Sequence, residues 1–262
     1  MQQIKITFVT AIFDICKEEQ FDLRKTKQKR IQYFEEVAST GIFICIFCCP
    51  KYKILLNDIL IKYTNIKLVE VLTLNKTNIY KICNDYEISN NKFLELPLNR
   101  HMEKDIKEYM ILMNSKIEFL KKSIDINYFN SKFFCWFDFS ILYIFKNKTD
   151  SLNKFKELSY TNFSKNFICI PGCWNRNNYD YLNNIVWRFC GGIMLGDKQS
   201  LIDFYNNCMQ YFPIFLQQTN KLVWEINFWY WLETIEIFNP IWVNADHNDS
   251  IINNLYEKIL YI

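Results

Sequence analysis

Between Phe133 and Ile141 the chain reads Phe-Phe-Cys-Trp-Phe-Asp-Phe-Ser-Ile, a continuous apolar run with one carboxylate, Asp138, near its end. A run that is apolar at every position, rather than at alternate ones, suits a strand covered on both faces. An ionised Asp inside such a strand costs several kcal/mol unless something positive compensates it. At the carboxyl end of a strand in an open α/β sheet, ligands and metals commonly take that part.

The rest of the sequence supplies what a doubly covered sheet needs. Half of the 262 residues are hydrophobic and 18% are aromatic, enough for a sizeable core, and only five glycines and five prolines argue against disorder. Strand-like and helix-like segments alternate, the pattern of an α/β fold with a largely parallel sheet. The expected strands are Ile4–Thr10, Gly41–Phe47 (stopped by Pro50), Ile66–Leu72, Trp136–Ser140, Phe167–Pro171 and Pro240–Val243. Helices are expected over Arg24–Ser39, Lys53–Tyr63, Glu103–Ser123, Leu152–Leu158, Lys198–Gln210 and Trp224–Glu233. Ile141–Phe145 continues the buried layer, and Asn75–Asn91 reads as loop or weak helix. No linker rich in Gly, Pro or Ser divides the chain, so a single domain over 1–262 is expected.

Composition excludes several classes. The formal charge of +3 is small and its basic residues are scattered, so no basic stripe points to nucleic acid or an anionic membrane. The apolar segment at Ile4–Ile12 is too short to span a bilayer and runs into Asp14, which predicts a first buried strand, no transmembrane segment and a cytoplasmic location. Of ten cysteines, Cys45, Cys48 and Cys49 lie in one strand whose side chains alternate in direction. The set reads as free buried thiols of a reducing compartment, with zinc or disulfides as the minor alternatives.

A few residues are placed to carry chemistry. Asp138 reads either as a cap on the turn after its strand or as a ligand for Mg²⁺ or Mn²⁺ bridging phosphates. The stretch has the shape of an Asp-x-Asp metal site, but Ser140 fills the second acidic position. His247, one of two histidines, sits in Asp246-His247-Asn248-Asp249, as a metal ligand or a surface residue; His101, beside Arg100, reads as solvated or capping. Glu225 lies among Trp224, Phe228 and Trp229, where a raised pKa would suit a general base, unless it faces solvent on an amphipathic helix. Lys116 has apolar neighbours and would offset charge on a departing pyrophosphate. Arg100, Lys104 and Asp105 belong to a charge run that is ordinarily a solvated face. Thr10, Ala11 and Phe13 fall at the end of the first strand, where a nucleobase and ribose would be held. Phe189-Cys190-Gly191-Gly192 through Gly196 gathers three of the five glycines, so the backbone there turns tightly or admits a close neighbour.

The ordered set Ile6-to-Asp14, Leu96-Pro97, Lys104-Asp105, Asn114-Ser115-Lys116, Trp136-Phe137-Asp138-Phe139, Arg188-Phe189-Cys190-Gly191-Gly192, Trp224-Glu225 and Ala245-Asp246-His247-Asn248 resembles the HtrL/YibB (WlaTC-like) family over nearly the whole chain. The resemblance implies a single GT-A-like, Rossmann-related domain with a mostly parallel central sheet flanked by helices, its nucleotide-binding part about 1–145 and its acceptor-side part about 146–262. It further implies a glycosyltransferase that moves a sugar from a UDP- or GDP-sugar to a hydroxyl of a glycan or glycoprotein. By that resemblance Asp138 and His247 would hold Mn²⁺ or Mg²⁺, Gly191 and Gly192 would line the sugar pocket with Trp136 and Arg100 nearby, and Glu225 would face the acceptor. Ser140 departs from the usual acid and leaves metal dependence open. An inactive nucleotide-sugar or glycan binder is the first alternative. A sugar nucleotidyltransferase is the second, although no Gly-rich phosphate loop follows the first strand.

Overall fold

The computed structural model describes residues 4–15 and 26–261. Seven strands form one sheet: β1 (Ile6–Ile12), β2 (Phe43–Cys48), β3 (Ile66–Val71), β4 (Phe133–Phe137), β5 (Ile168–Gly172), β6 (Ile193–Asp197) and β7 (Ile241–Asn244), in the order β3-β2-β1-β4-β6-β5-β7. β1, β2, β3 and β4 pair in parallel, as do β5 and β7, while β6 runs antiparallel to both β4 and β5. This is the expected α/β architecture: a mostly parallel sheet flanked by helices.

Ten α-helices connect the strands: α1 (Lys27–Ala38), α2 (Pro50–Leu55), α3 (Asn57–Lys62), α4 (Asn78–Asn90), α5 (Lys107–Asn114), α6 (Lys116–Ile126), α7 (Lys148–Tyr160), α8 (Lys198–Thr219), α9 (Glu225–Thr234) and α10 (Ser250–Ile259), counted among the described residues. They divide between the two faces of the sheet because each strand sends alternate side chains to opposite sides. Cys45 and Phe47 of β2, with Phe134 and Trp136 of β4, join one core against α5, α6, α8 and α9. Ile44, Ile46 and Cys48, with Phe133, Cys135 and Phe137, join the other core against α1, α7 and α10. Cys45 and Cys48 thus face opposite sides of the sheet, whereas Cys49, expected in the same strand, lies beyond β2 as the N-cap of α2.

Several elements differ from the sequence reading, for physical reasons. The helix expected over Glu103–Ser123 is two helices, α5 and α6, separated at Ser115. There the Asn114 amide donates to Met110 O (2.9 Å) and Val223 O (2.8 Å), and the Ser115 hydroxyl donates to Ile111 O (2.8 Å). Such side-chain bonds to backbone carbonyls compete with regular helix. The Lys53–Tyr63 segment is likewise two short helices, starting at Pro50. Asn75–Asn91 is mostly the helix α4. β6 and α10 were not anticipated as elements. The start of the expected first helix, at Arg24 and Lys25, lies outside the described residues.

The order of strands fixes where a ligand fits. From β1 the chain builds outward through β2 and β3 on one side and continues through β4 on the other, so the carboxyl ends of β1 and β4 meet at a topological switch point. Because β6 is antiparallel, its amino end, carrying Gly191 and Gly192, arrives at the same edge of the sheet.

Candidate active site at the carboxyl edge of the sheet

A cavity of about 450 Å³ opens at this switch point. Ala11 and Phe13 from the end of β1, Trp136 and Asp138 from β4, Lys116, Gly191, Gly192, Glu225 and His247 all line it. Two expected contributors do not. Thr10 points into the protein and is fully buried, its hydroxyl lacking a hydrogen-bond partner, because strand alternation turns it away from its neighbour Ala11. Arg100 bends back to donate to Pro97 O at 3.0 Å and is absent from the lining.

The floor of the cavity is a buried ion cluster. Lys116 opens α6, is 1% exposed, and donates to Gly191 O (2.9 Å) and Glu225 Oε1 (2.8 Å) while pairing with Asp138 Oδ1 at 2.9 Å. These three partners match the three N–H donors of an ammonium. Burial alone would push the Lys116 ammonium towards deprotonation, but Asp138 first and then Glu225 outweigh it and hold its pKa above the ordinary value. Glu225, 4% exposed, begins α9, where backbone N–H groups and the helix dipole favour an anion. Its surroundings are aromatic, as the sequence suggests, but the ammonium beside it makes this an ion pair rather than a carboxylate in a purely apolar pocket. Lys116, expected to offset charge on a pyrophosphate, has its three donors engaged by Gly191 O, Glu225 and Asp138.

Asp138 is the open member of the cluster. Its side chain is 43% exposed. Oδ1 accepts from Trp136 Nε1 at 2.9 Å and faces Lys116, and the backbone N–H donates to Gly192 O at 2.9 Å. Ser140 follows in the turn leading to a short 3₁₀ segment, Ile141–Tyr143. Glycine at 191 is dictated by proximity, since a Cβ there would stand 2.1 Å from Glu225 Oε1.

Asp105 was read as part of a solvated charge run, yet it is 6% exposed and lines the cavity. Oδ2 accepts from His101 N at 3.1 Å, while Oδ1 makes no hydrogen bond and Lys104 Nζ lies 3.9 Å from it. A buried carboxylate oxygen without a donor is an acceptor waiting for one. The sequence signal for this was thin: a single acid between Lys104 and an apolar helix. In total the lining carries three cationic side chains, Arg30, Lys104 and Lys116, against three carboxylates, Asp105, Asp138 and Glu225.

His247 belongs to a second cluster. Its Nδ1 lies 3.5 Å from Cys173 Sγ, which lies 3.4 Å from Cys190 Sγ. Its ring stands edge-on to Trp187, centroids 4.0 Å apart at 77°. The contact to Cys190, together with that to His247, outweighs burial and pulls the Cys173 thiol pKa down to about 5, while Cys190 is pushed up. The three donor atoms of Cys173, Cys190 and His247 lie within 4.8 Å of one another, and Asp138 is outside this group. The pair expected to hold Mn²⁺ or Mg²⁺ is thus divided between two clusters. Those cations require several oxygen ligands, whereas Asp138 Oδ1 is taken by an ammonium and an indole N–H and His247 faces thiols. The donor set does not fit them. Cys45, Cys48, Cys83, Cys135, Cys169 and Cys208 are free and buried, with thiol pKa values raised chiefly by desolvation.

No helix among the described residues is long and apolar enough to cross a membrane. No curated protein matches the sequence. Among solved structures, the chain is similar to 4-diphosphocytidyl-2C-methyl-D-erythritol synthase from Anaerococcus prevotii, at 11% identity and a TM-score of 0.46, with 98% of this chain and 94% of that chain covered. It is also similar to mouse xyloside xylosyltransferase 1 in its apo form, at 9% identity and a TM-score of 0.44, covering 92% of this chain and 85% of that one. Likeness at this level carries no argument about function. A family model described as bacterial protein of unknown function (HtrL_YibB) matches residues 4–223, and the chain belongs to that family.

Proposed function

We propose that this protein is a glycosyltransferase that moves a sugar from a nucleoside-diphosphate sugar to an acceptor hydroxyl on a glycan or glycoprotein. The observation that carries the reading is the cavity at the β1–β4 switch point with the Asp138–Lys116–Glu225 cluster as its floor. Open α/β sheets take nucleotides at such a point. The end of β1, at Ala11 and Phe13, supplies the wall for the nucleobase, and Asp105 Oδ1 accepts a hydroxyl or N–H of the nucleoside. Arg30 and Lys104 are the lining cations that offset the diphosphate.

Asp138, the half-exposed acid, faces the reacting sugar and takes the acceptor proton as the new glycosidic bond forms and the bond to the diphosphate breaks. Glu225, held by Lys116 beside Gly191, fixes the orientation of that acid and of the glycine turn. Its expected role as the base passes to Asp138 because Glu225 is buried and paired. A binder without turnover is the second reading, favoured by Ser140 where a second acid would stand.

Thermal unfolding with a panel of UDP- and GDP-sugars, followed by a donor-hydrolysis assay, tests both readings. A true donor at 100 times its Kd stabilises the fold by about 2.7 kcal/mol and raises Tm accordingly. Asp138→Asn is expected to keep the Tm rise and lose hydrolysis. A binder would show the rise with no turnover in either form, and no response to any donor would remove the transferase reading.

A further inference from the structure

We infer that Cys173, Cys190 and His247 form a binding site for a borderline-soft divalent cation, of which Zn²⁺ is the natural occupant, with the Asp246 carboxylate as the fourth ligand. The three side chains come from three different segments: the residue after β5, the turn before β6 and the loop after β7. All three donor atoms lie within 4.8 Å of one another. Tetrahedral zinc, with bonds of about 2.3 Å to sulfur and about 2.0 Å to nitrogen, separates two sulfurs by roughly 3.7 Å and a sulfur from a nitrogen by roughly 3.5 Å. The corresponding separations here are 3.4 Å for the two sulfurs and 3.5 Å for Cys173 Sγ to His247 Nδ1. Asp246 Oδ1 stands 4.0 Å from Cys173 Sγ and 3.9 Å from His247 Nδ1, held there by the His247 backbone N–H at 2.7 Å.

Two thiols and an imidazole select zinc-class metals over the hard cations that prefer oxygen. Surroundings support this choice. Trp187 packs against the imidazole, orienting the ring. The backbone is already tied at the same place, Cys190 N donating to Pro171 O at 2.6 Å and Ala245 N to Gly172 O at 2.8 Å. A bound ion would therefore fasten the carboxyl ends of β5 and β7 to the turn that carries Gly191 and Gly192. Cys190 and His247 also line the cavity, so the clamp sits at its wall.

The test uses untagged full-length protein, reduced and stripped of metal with a chelator, then titrated with Co²⁺ as a spectroscopic probe. One equivalent is expected to give a thiolate-to-cobalt charge-transfer band and the strong visible bands of tetrahedral cobalt, both abolished by added Zn²⁺. Cys173→Ser should lose about half of the charge-transfer intensity, Cys190 remaining as the second thiolate, and His247→Ala should shift and weaken the tetrahedral bands. Cys173 is half-buried and the His247 side chain is 39% exposed, and circular dichroism verifies that the variants remain folded. Zn²⁺ should raise the Tm of the native chain more than that of Cys173→Ser, while Mg²⁺ should shift neither. A charge-transfer band of undiminished intensity in Cys173→Ser overturns the assignment, as does a native Tm indifferent to Zn²⁺. So does a reduced thiol pair that binds no cobalt and, on mild oxidation, loses two hydrogens to form a disulfide. No sugar donor enters these readouts, so their outcome is separate from that of the transferase reading.

Discussion

Lys116 sits where a charge is costly, and its neighbours explain why it is tolerated. Removing an ammonium from water costs several kcal/mol, and only good pairing returns it. Here two carboxylates and a carbonyl surround the nitrogen. Taking the lysine away leaves the buried Glu225 without its partner. Lys116→Met is therefore expected to lower stability by about 3–5 kcal/mol, measured by urea unfolding at neutral pH. The pH dependence has a definite sign. The folded pKa lies above the unfolded one, so the contribution is fully present below about pH 10.4 and is lost as pH rises through the folded value. The gap between native and variant should thus stay constant across the neutral range and close only in strong alkali. Equal stabilities at neutral pH would show that the cluster contributes nothing.

At the scale of elements, α4 is the instructive case. Its segment is polar, with only Ile79 and Cys83 buried, so helical periodicity is faint in the sequence. The helix starts because Thr77 Oγ1 accepts from Tyr80 N and because Glu118, on the distant α6, accepts from Asn78 N (2.7 Å) and Ile79 N (2.8 Å). A cap provided from 40 residues away cannot be seen in a local window. Glu118→Ala would leave two amides at a helix start short of acceptors and should cost about 2 kcal/mol, with amide hydrogen exchange accelerating in α4 before α6. Uniform acceleration along the chain would contradict the idea that this carboxylate caps one helix. α8 tells a related story: it runs 22 residues, past Pro213, to Thr219. Phe212, Phe215 and Leu216 are fully buried, and their packing carries the helix beyond the residue that would ordinarily stop it.

Across the whole molecule, one sheet separates two cores and its carboxyl edge collects the chemistry. The half carrying β5, β6 and β7 is fastened by Arg188, whose guanidinium grips Glu233 of α9 at 2.8 and 2.9 Å while its carbonyl accepts from Trp242 Nε1 at 2.8 Å. Both side chains of the ion pair are at least nine-tenths buried. Arg188→Met strands the Glu233 carboxylate and should cost about 3–5 kcal/mol in equilibrium unfolding. Arg188→Lys should recover only part of that, because an ammonium cannot reproduce the two-pronged contact. Full rescue by lysine would mean that charge alone matters at this position.

How much of this was readable in advance depends on the range of the interaction. Apolar runs such as Phe133–Phe137 and Ile168–Gly172 announce strands covered on both faces, and that local pattern determined the α/β class, the core and the place of Asp138 at a strand end. The lining positions of Ala11, Phe13, Trp136 and Gly191 follow from the same ends of strands and turns. Tertiary structure alone decided which charges meet. Lys116 and Glu225 are 109 residues apart, and Cys173 and His247 are 74 apart, so nothing in their neighbourhoods encodes the pairing. The antiparallel entry of β6, which carries the glycine turn to the edge where these groups converge, is likewise a property of the assembled sheet. Hydrophobic patterning acts over a few residues and survives in the one-dimensional text, whereas the partner of a buried charge is set by the folded path of the chain.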